Sequence, residues 1–134
     1  METTVLEITT GDRPIHDLTG EAQRFVAGRG DGLLHAFAPH ATVGLAVMET
    51  GAGSDDDLVD LLESHLLPRD DRYRHAHGSP GHGADHLLPA LLAPSISIPV
   101  LDGRLALGTW QSVVLVDTNR DNPHRQVRLS FLAG

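Results

Sequence analysis

The sequence predicts an α+β fold built on a mainly antiparallel sheet. Two observations carry that expectation. Roughly six or seven short β-prone segments, several with apolar residues at alternate positions, outnumber two or three segments of helical periodicity. The Asp102-Gly103 pair, flanked by Ile-Pro-Val-Leu and Arg-Leu-Ala-Leu, has the composition of a two-residue hairpin turn. The 134 residues hold no repeat and no linker, so one domain spans 1–134.

Thr3 to Thr9 is rich in β-branched residues and ends at Gly11-Asp12, which predicts a first strand. Thr19 is placed to cap a short helix through Ala27, with Ala22, Phe25 and Val26 on one face and Gly28 as the stop. Gly32–Phe37 and Thr42–Met48 read as strands around Ala38-Pro39-His40-Ala41. Ser54 then opens the clearest helix. Asp55, Asp56 and Asp57 suit the positive end of its dipole, so helix-start chemistry accounts for the acidic triplet without a metal. Leu58, Leu61, Leu62 and Leu66 recur at helical spacing until Pro68.

Arg69 to Gly83 reads as a loop, and Asp85 as the cap of a last helix, His86–Leu92, with Pro89 in its first turn. Ile96, Ile98 and Val100 alternate in a strand entering the Asp-Gly turn. The return strand is predicted from Arg104 through Trp110 to about Val116, with the only tryptophan mostly buried. A polar loop, Asp117–Arg125, leads to a closing strand, Gln126–Phe131.

Composition removes several chemistries. With no cysteine there is no disulfide, no thiolate nucleophile and no cysteine-ligated metal. All ten basic residues are arginine, so the chain offers neither a Schiff-base lysine nor a Walker-type phosphate lysine. A net charge of −8 argues against nucleic-acid binding. No apolar run reaches the ~20 residues a bilayer requires, and no basic-then-apolar leader opens the chain. The expectation is a cytoplasmic protein without membrane partners.

Nine histidines are the unusual feature, and four of them (His75, His77, His82 and His86) lie within twelve residues. Imidazole is the commonest nitrogen ligand for zinc-like metals. His82 and His86 have i, i+4 spacing, but Gly83 and a cap at Asp85 would leave His82 outside the helix. His75-Ala-His77, if extended, would point both rings to one side. Spacing alone leaves metal binding and an incidental exposed loop equally open. His40, after Pro39 in a tight connection, reads first as a turn or core residue. Arg104, Gln111 and Arg125 flank β segments, where an arginine fork could meet an anion.

Several segments stand in a telling order: Pro39-His40-Ala41-Thr42, Met48-Glu49, Tyr73-Arg74-His75, Asp85-His86-Leu87 and Ile98-Pro99-Val100 with Gly103-Arg104. Gly108-Thr109-Trp110-Gln111 follows and is the strongest, then Asp117 and Arg125. Together they resemble the YjbQ family, often called secondary thiamine-phosphate synthases. The resemblance runs from about Gly32 to the C-terminus. It implies a curved antiparallel sheet, a homotrimer with clefts near subunit contacts, and a divalent metal (zinc or magnesium) held by His40, His75 and His86. It also implies a small phosphorylated metabolite as substrate, with a pyrimidine-methyl diphosphate joined to a thiazole phosphate and diphosphate released. In that chemistry Glu49 would act as acid/base or orient a ligand, and Arg125 with Gln111 would meet anionic or polar groups. A metal-dependent hydrolase and a non-catalytic binding trimer are the competing classes. The chain departs from the family pattern at Ala41, Met48, Ala52 and Asp117. His77 and His82 are additions to it, position 82 being usually Asn or Asp.

Overall fold

Alternating apolar residues become two antiparallel sheets in the computed structural model, which describes residues 1–134. The strands are β1 (Glu2–Thr9), β2 (Ile15–Asp17), β3 (Gly32–Phe37), β4 (Gly44–Met48), β5 (Ser95–Leu101), β6 (Arg104–Leu105), β7 (Ser112–Val116) and β8 (His124–Ala133). Helices are α1 (Thr19–Val26), α2 (Ser54–Asp60), α3 (His82–Asp85) and α4 (Leu88–Leu91). One sheet has the order β1-β8-β3-β5-β6 and the other β2-β7-β4. Every pairing is antiparallel. The curled sheet forms a half-barrel, and the architecture is the α+β class that the sequence predicts.

The β5–β6 hairpin turns where the Asp-Gly pair requires it. Asp102 and Gly103 both adopt positive φ (50° and 69°), the backbone that matches strand twist in a two-residue loop. After Leu105 the predicted long return strand breaks. The Gln111 side chain accepts the Gly108 N–H at 2.8 Å, the chain turns through Thr109-Trp110, and it resumes as β7 in the other sheet. Trp110 is therefore at the apex of a turn and 74% exposed, which corrects the expectation of a buried ring.

Helix α1 begins one residue earlier than a Thr19 cap would allow. Asp17 Oδ1 accepts the Thr19 N–H at 2.8 Å, while Thr19 Oγ1 accepts the N–H of Val113 from β7. Helix α2 loosens into a π-helical stretch, Leu61–Leu66, which buries Leu62 and leaves Leu61 and Leu66 exposed. The predicted helix at His86–Leu92 shortens to α4, and a separate short helix, α3, precedes it; Asp85 ends α3 instead of capping the later helix. Pro89 does occupy the first turn of α4, where a missing N–H is harmless.

Strand β7 organises the interior. Its residues Val113 to Val116 are all buried, because both faces of this strand are covered. Val113 and Leu115 face the main core with Leu34, Val127 and Leu129. Val114 and Val116 face a second cluster with Leu62, Leu67, Ala84 and Leu88. That second cluster seats α3 and α4. A fully buried leucine such as Leu88 contributes about 2 kcal/mol from removed apolar area.

Candidate metal centre

Three histidine rings converge where α3 meets the loop before it. One ring nitrogen each from His75, His82 and His86 lies within 4.8 Å of the others. The Nε2 atoms of His82 and His86 are 2.9 Å apart, and the His75 ring stacks on His86 with centroids 4.0 Å apart. His77 leans on His75 from the solvent side, centroids 4.1 Å apart. His75, His77, His82 and their loop border a cavity of about 350 Å³, to which Asp70, Asp71 and Tyr73 contribute and neither His86 nor any arginine does.

Local sequence explains the convergence. Gly83 lies inside α3 at a point where nothing larger fits: a Cβ there would come within 2.5 Å of the His75 carbonyl oxygen and of Tyr73 Cβ. The glycine that seemed to end helical spacing at His82 is thus a packing requirement. With α3 formed, the i, i+4 pair His82 and His86 shares one face. Gly78 plays a second part. At φ 89° its absent Cβ would sit 2.8 Å from His82 Cγ and 2.9 Å from Asp121 Oδ2. Only bare backbone lets ring and carboxylate meet.

A buried polar network holds this arrangement to β7. Asp85 accepts bonds from Arg69, from Thr118 Oγ1 at 2.8 Å and from Asn119 Nδ2 at 3.1 Å. Asn119 Nδ2 also lies 3.0 Å from His82 Nδ1, and Asp121 Oδ2 lies 2.7 Å from the same nitrogen. Burial, followed by the neighbouring imidazoles His77 and His82, holds His75 below the usual imidazole range. Burial, then His75 and His82, does the same to His86. Both rings are thereby kept in the neutral form that can donate a lone pair to a cation.

The donor set fits a divalent metal by one further test. His75 Nδ1 is a buried ring nitrogen without any hydrogen-bond partner. An orphaned nitrogen of this kind is costly unless a ligand completes it. Three imidazoles with room beside them match the composition of catalytic zinc-type sites.

Of the residues expected from the sequence, His75 and His86 come together. His40 lies apart from the converging ring nitrogens: its Nε2 accepts the Gln126 N–H at 2.8 Å, beside Arg125. Arg125 is buried and spends its guanidinium on Asp117 (2.7 and 3.2 Å) and Thr42 (2.9 Å). Gln111 is bound into the Gly108 turn, and Glu49 is exposed just past β4. Met48 pairs with Ser112 at the start of β7, whereas Thr118 and Asn119 follow its other end. Glu49 and Gln111 are therefore separated from that end by about 13 Å of strand. Sequence reading missed His82 as a member of the group, although its spacing from His86 was the available signal. It also missed Asp121 and Asn119, for which no signal existed.

The curled antiparallel half-barrel with a histidine cluster on its helical flank defines a class of small α+β proteins, and comparison identifies the family. Residues 4–134 match the family described as "UPF0047 protein YjbQ-like", and the chain belongs to it. It is 63% identical to UPF0047 protein Rv2556c of Mycobacterium tuberculosis over 134 residues, all of both chains. It is 34% identical to a UPF0047 protein of Archaeoglobus fulgidus, covering 84% of this chain and 87% of that one. Among solved structures, a hypothetical protein of Aeropyrum pernix superposes with a TM-score of 0.86 at 32% identity, complete in both chains. A YjbQ-like protein of unknown function from Sulfolobus solfataricus, at TM-score 0.89 and 20% identity, shares the fold.

Proposed function

We propose that the chain is a divalent-metal enzyme acting on a small phosphorylated metabolite, with His75, His82 and His86 as the ligands. The observations that carry this reading are the convergence of three ring nitrogens and a buried Nδ1 of His75 that has no hydrogen-bond partner. A bound cation would supply Lewis-acid stabilisation of the charge that develops on a phosphoryl oxygen. The protein's own groups around the cavity are carboxylates and imidazoles, and Arg125 is committed elsewhere. His77, exposed beside His75, is placed to hold or pass a proton to a group in the cavity. Asp71 and Tyr73 offer polar contacts for the uncharged part of a substrate. Within this class we propose the transfer reaction that the family resemblance implies, pyrimidine-methyl diphosphate joined to thiazole phosphate, carried out by a homotrimer.

The test is zinc, cobalt and magnesium titration by calorimetry, followed by phosphate and diphosphate release with and without chelator. Tight binding of one cation and chelator-sensitive release are the expected results. A protein that binds none of the three at neutral pH overturns the proposal. Release of phosphate from simple esters, with no joining of the two heterocycles, would reassign the enzyme as a hydrolase.

A further inference from the structure

We propose that Asp121 is the positioning residue that holds His82 in its Nδ1–H tautomer, so that the Nε2 lone pair points into the histidine cluster. The inference rests on the metal-centre reading for its consequence, and on geometry alone for its content.

An imidazole that ligates through one nitrogen is fixed by what the other nitrogen bonds. Two groups compete for His82 Nδ1. Asp121 offers a carboxylate oxygen at 2.7 Å, and Asn119 offers an amide N–H at 3.0 Å. The orientation of Asn119 is not free. Its Oδ1 accepts the backbone N–H groups of Asp121 and Asn122 at 3.0 and 3.2 Å, which leaves Nδ2 facing both Asp85 and His82. One proton of Nδ2 already has a good acceptor in Asp85.

If Nδ1 carried a lone pair, that lone pair would face a carboxylate at 2.7 Å, a repulsion between two acceptors. If Nδ1 carries the proton, the carboxylate contact becomes a charge-assisted attraction at 2.7 Å, and the second N–H of the Asn119 amide has to turn away from the ring. The carboxylate wins. Asp121 is itself held in place, because its Oδ2 also accepts the Ser79 N–H at 3.2 Å and its own N–H is fixed by Asn119. Gly78 leaves the space in which the carboxylate and ring meet. With the proton on Nδ1, Nε2 of His82 presents its lone pair toward Nε2 of His86, 2.9 Å away. Without a cation, His86 Nε2–H fills that gap. For His86 to ligate a cation there through Nε2, its proton would move to Nδ1, so the ring would change tautomer and stay neutral.

The experiment has two independent readouts. Long-range 15N–1H NMR of the histidine rings, at about pH 8 where imidazole is neutral, reads the tautomer of His82 in the metal-free protein. Calorimetric zinc titration of the wild type, Asp121→Asn and His82→Asn reads the consequence. Expected are an Nδ1–H His82 in the wild type, loss of that preference in Asp121→Asn, and a zinc affinity about 10- to 100-fold weaker in that variant. Asp121 is partly exposed, so circular dichroism and the thermal midpoint of the variant should stay close to wild type. An Nε2–H His82 in the wild type, or an unchanged tautomer in Asp121→Asn, overturns the inference while leaving the centre intact. A wild type with the expected tautomer that binds no zinc upholds the hold of Asp121 on the ring and overturns the metal centre instead.

Discussion

Thr118 Oγ1 donates to Asp85 Oδ1 at 2.8 Å between two buried residues, and this bond ties the helix carrying His82 to the loop that leaves β7. The same carboxylate receives Arg69 and Asn119, so three side chains depend on one buried charge. Asp85→Asn removes that charge and leaves the half-buried Arg69 guanidinium without its anion. The expected cost is roughly 1–3 kcal/mol, below the full penalty of breaking a buried pair because Arg69 reaches solvent. Urea unfolding of Asp85→Asn, and of Asp85→Asn combined with Arg69→Met, measures it. The double variant should recover part of the loss; a single variant as stable as wild type would show that the network does not hold α3.

Gly78 and Gly51 provide a matched pair. Both have positive φ (89° and 82°), so alanine at either imposes a comparable backbone strain of about 1 kcal/mol. At Gly51 the new methyl meets nothing within 4 Å, whereas at Gly78 it strikes His82 and the Asp121 carboxylate. Zinc titration should therefore separate the two. Gly78→Ala is expected to weaken binding about tenfold or more, and Gly51→Ala to leave it unchanged at similar stability. Equal affinities would mean that the His82–Asp121 contact does not matter to the site.

The sheet was legible because its signals are local. Alternation and the Asp102-Gly103 turn each act within a few residues, and β1, β3, β5 and the hairpin form where these signals lie. The long return strand failed for the opposite reason. Apolar residues stand at both ends of Leu105–Val116, yet between them the Gln111 side chain closes a turn on Gly108 and sends β7 to a different sheet. The site divides in the same way. His75 and His86 could be selected only by family pattern, since their approach depends on α3 docking against the cluster of Val114, Val116 and Leu88. In the sequence, Gly83 and a cap at Asp85 argue against a helix face shared by His82 and His86, but Gly83 reports tight packing rather than a helix end and Asp85 lies inside α3. Asp121, 39 positions from His82 in the chain, gave no pattern to read.

His40 should make stability depend on pH. Burial, then the Arg125 charge, holds its imidazole below the ordinary value, and the Gln126 N–H pointing at Nε2 requires that nitrogen to be unprotonated. Asp117 opposes the shift but is itself paired with Arg125. Since the folded value lies below the unfolded one, the unfolded chain takes up the proton first as pH falls. The contribution of His40 is complete above the unfolded value near ~6.5 and is lost as pH drops toward the folded value. Urea midpoints at several pH values between about 8 and 5 should fall more for the wild type than for His40→Gln. Parallel profiles would show that the His40–Gln126 bond carries no proton linkage.

Trp110 offers a probe of assembly. It stands 74% exposed on its turn, and Leu33, Leu101 and Leu132 are also exposed, with Leu33 and Leu132 directly paired across β3 and β8. Pro99 faces Leu33 from β5, which makes the outer sheet surface apolar at this end. Exposed apolar surface of this kind marks contact with another molecule. If copies of the chain cover it in the proposed trimer, light scattering should give about three times the 14.3 kDa chain mass. Leu33→Glu combined with Leu132→Glu should return the monomer without unfolding it, because both side chains already face solvent within one chain. Trp110→Phe should cost less than about 0.5 kcal/mol in that monomer, as a surface change does. A blue-shifted emission in the assembled wild type that moves red in the double variant would place Trp110 at the contact. A wild type of single-chain mass at every concentration would rule out the trimer and leave the leucine face to a different partner.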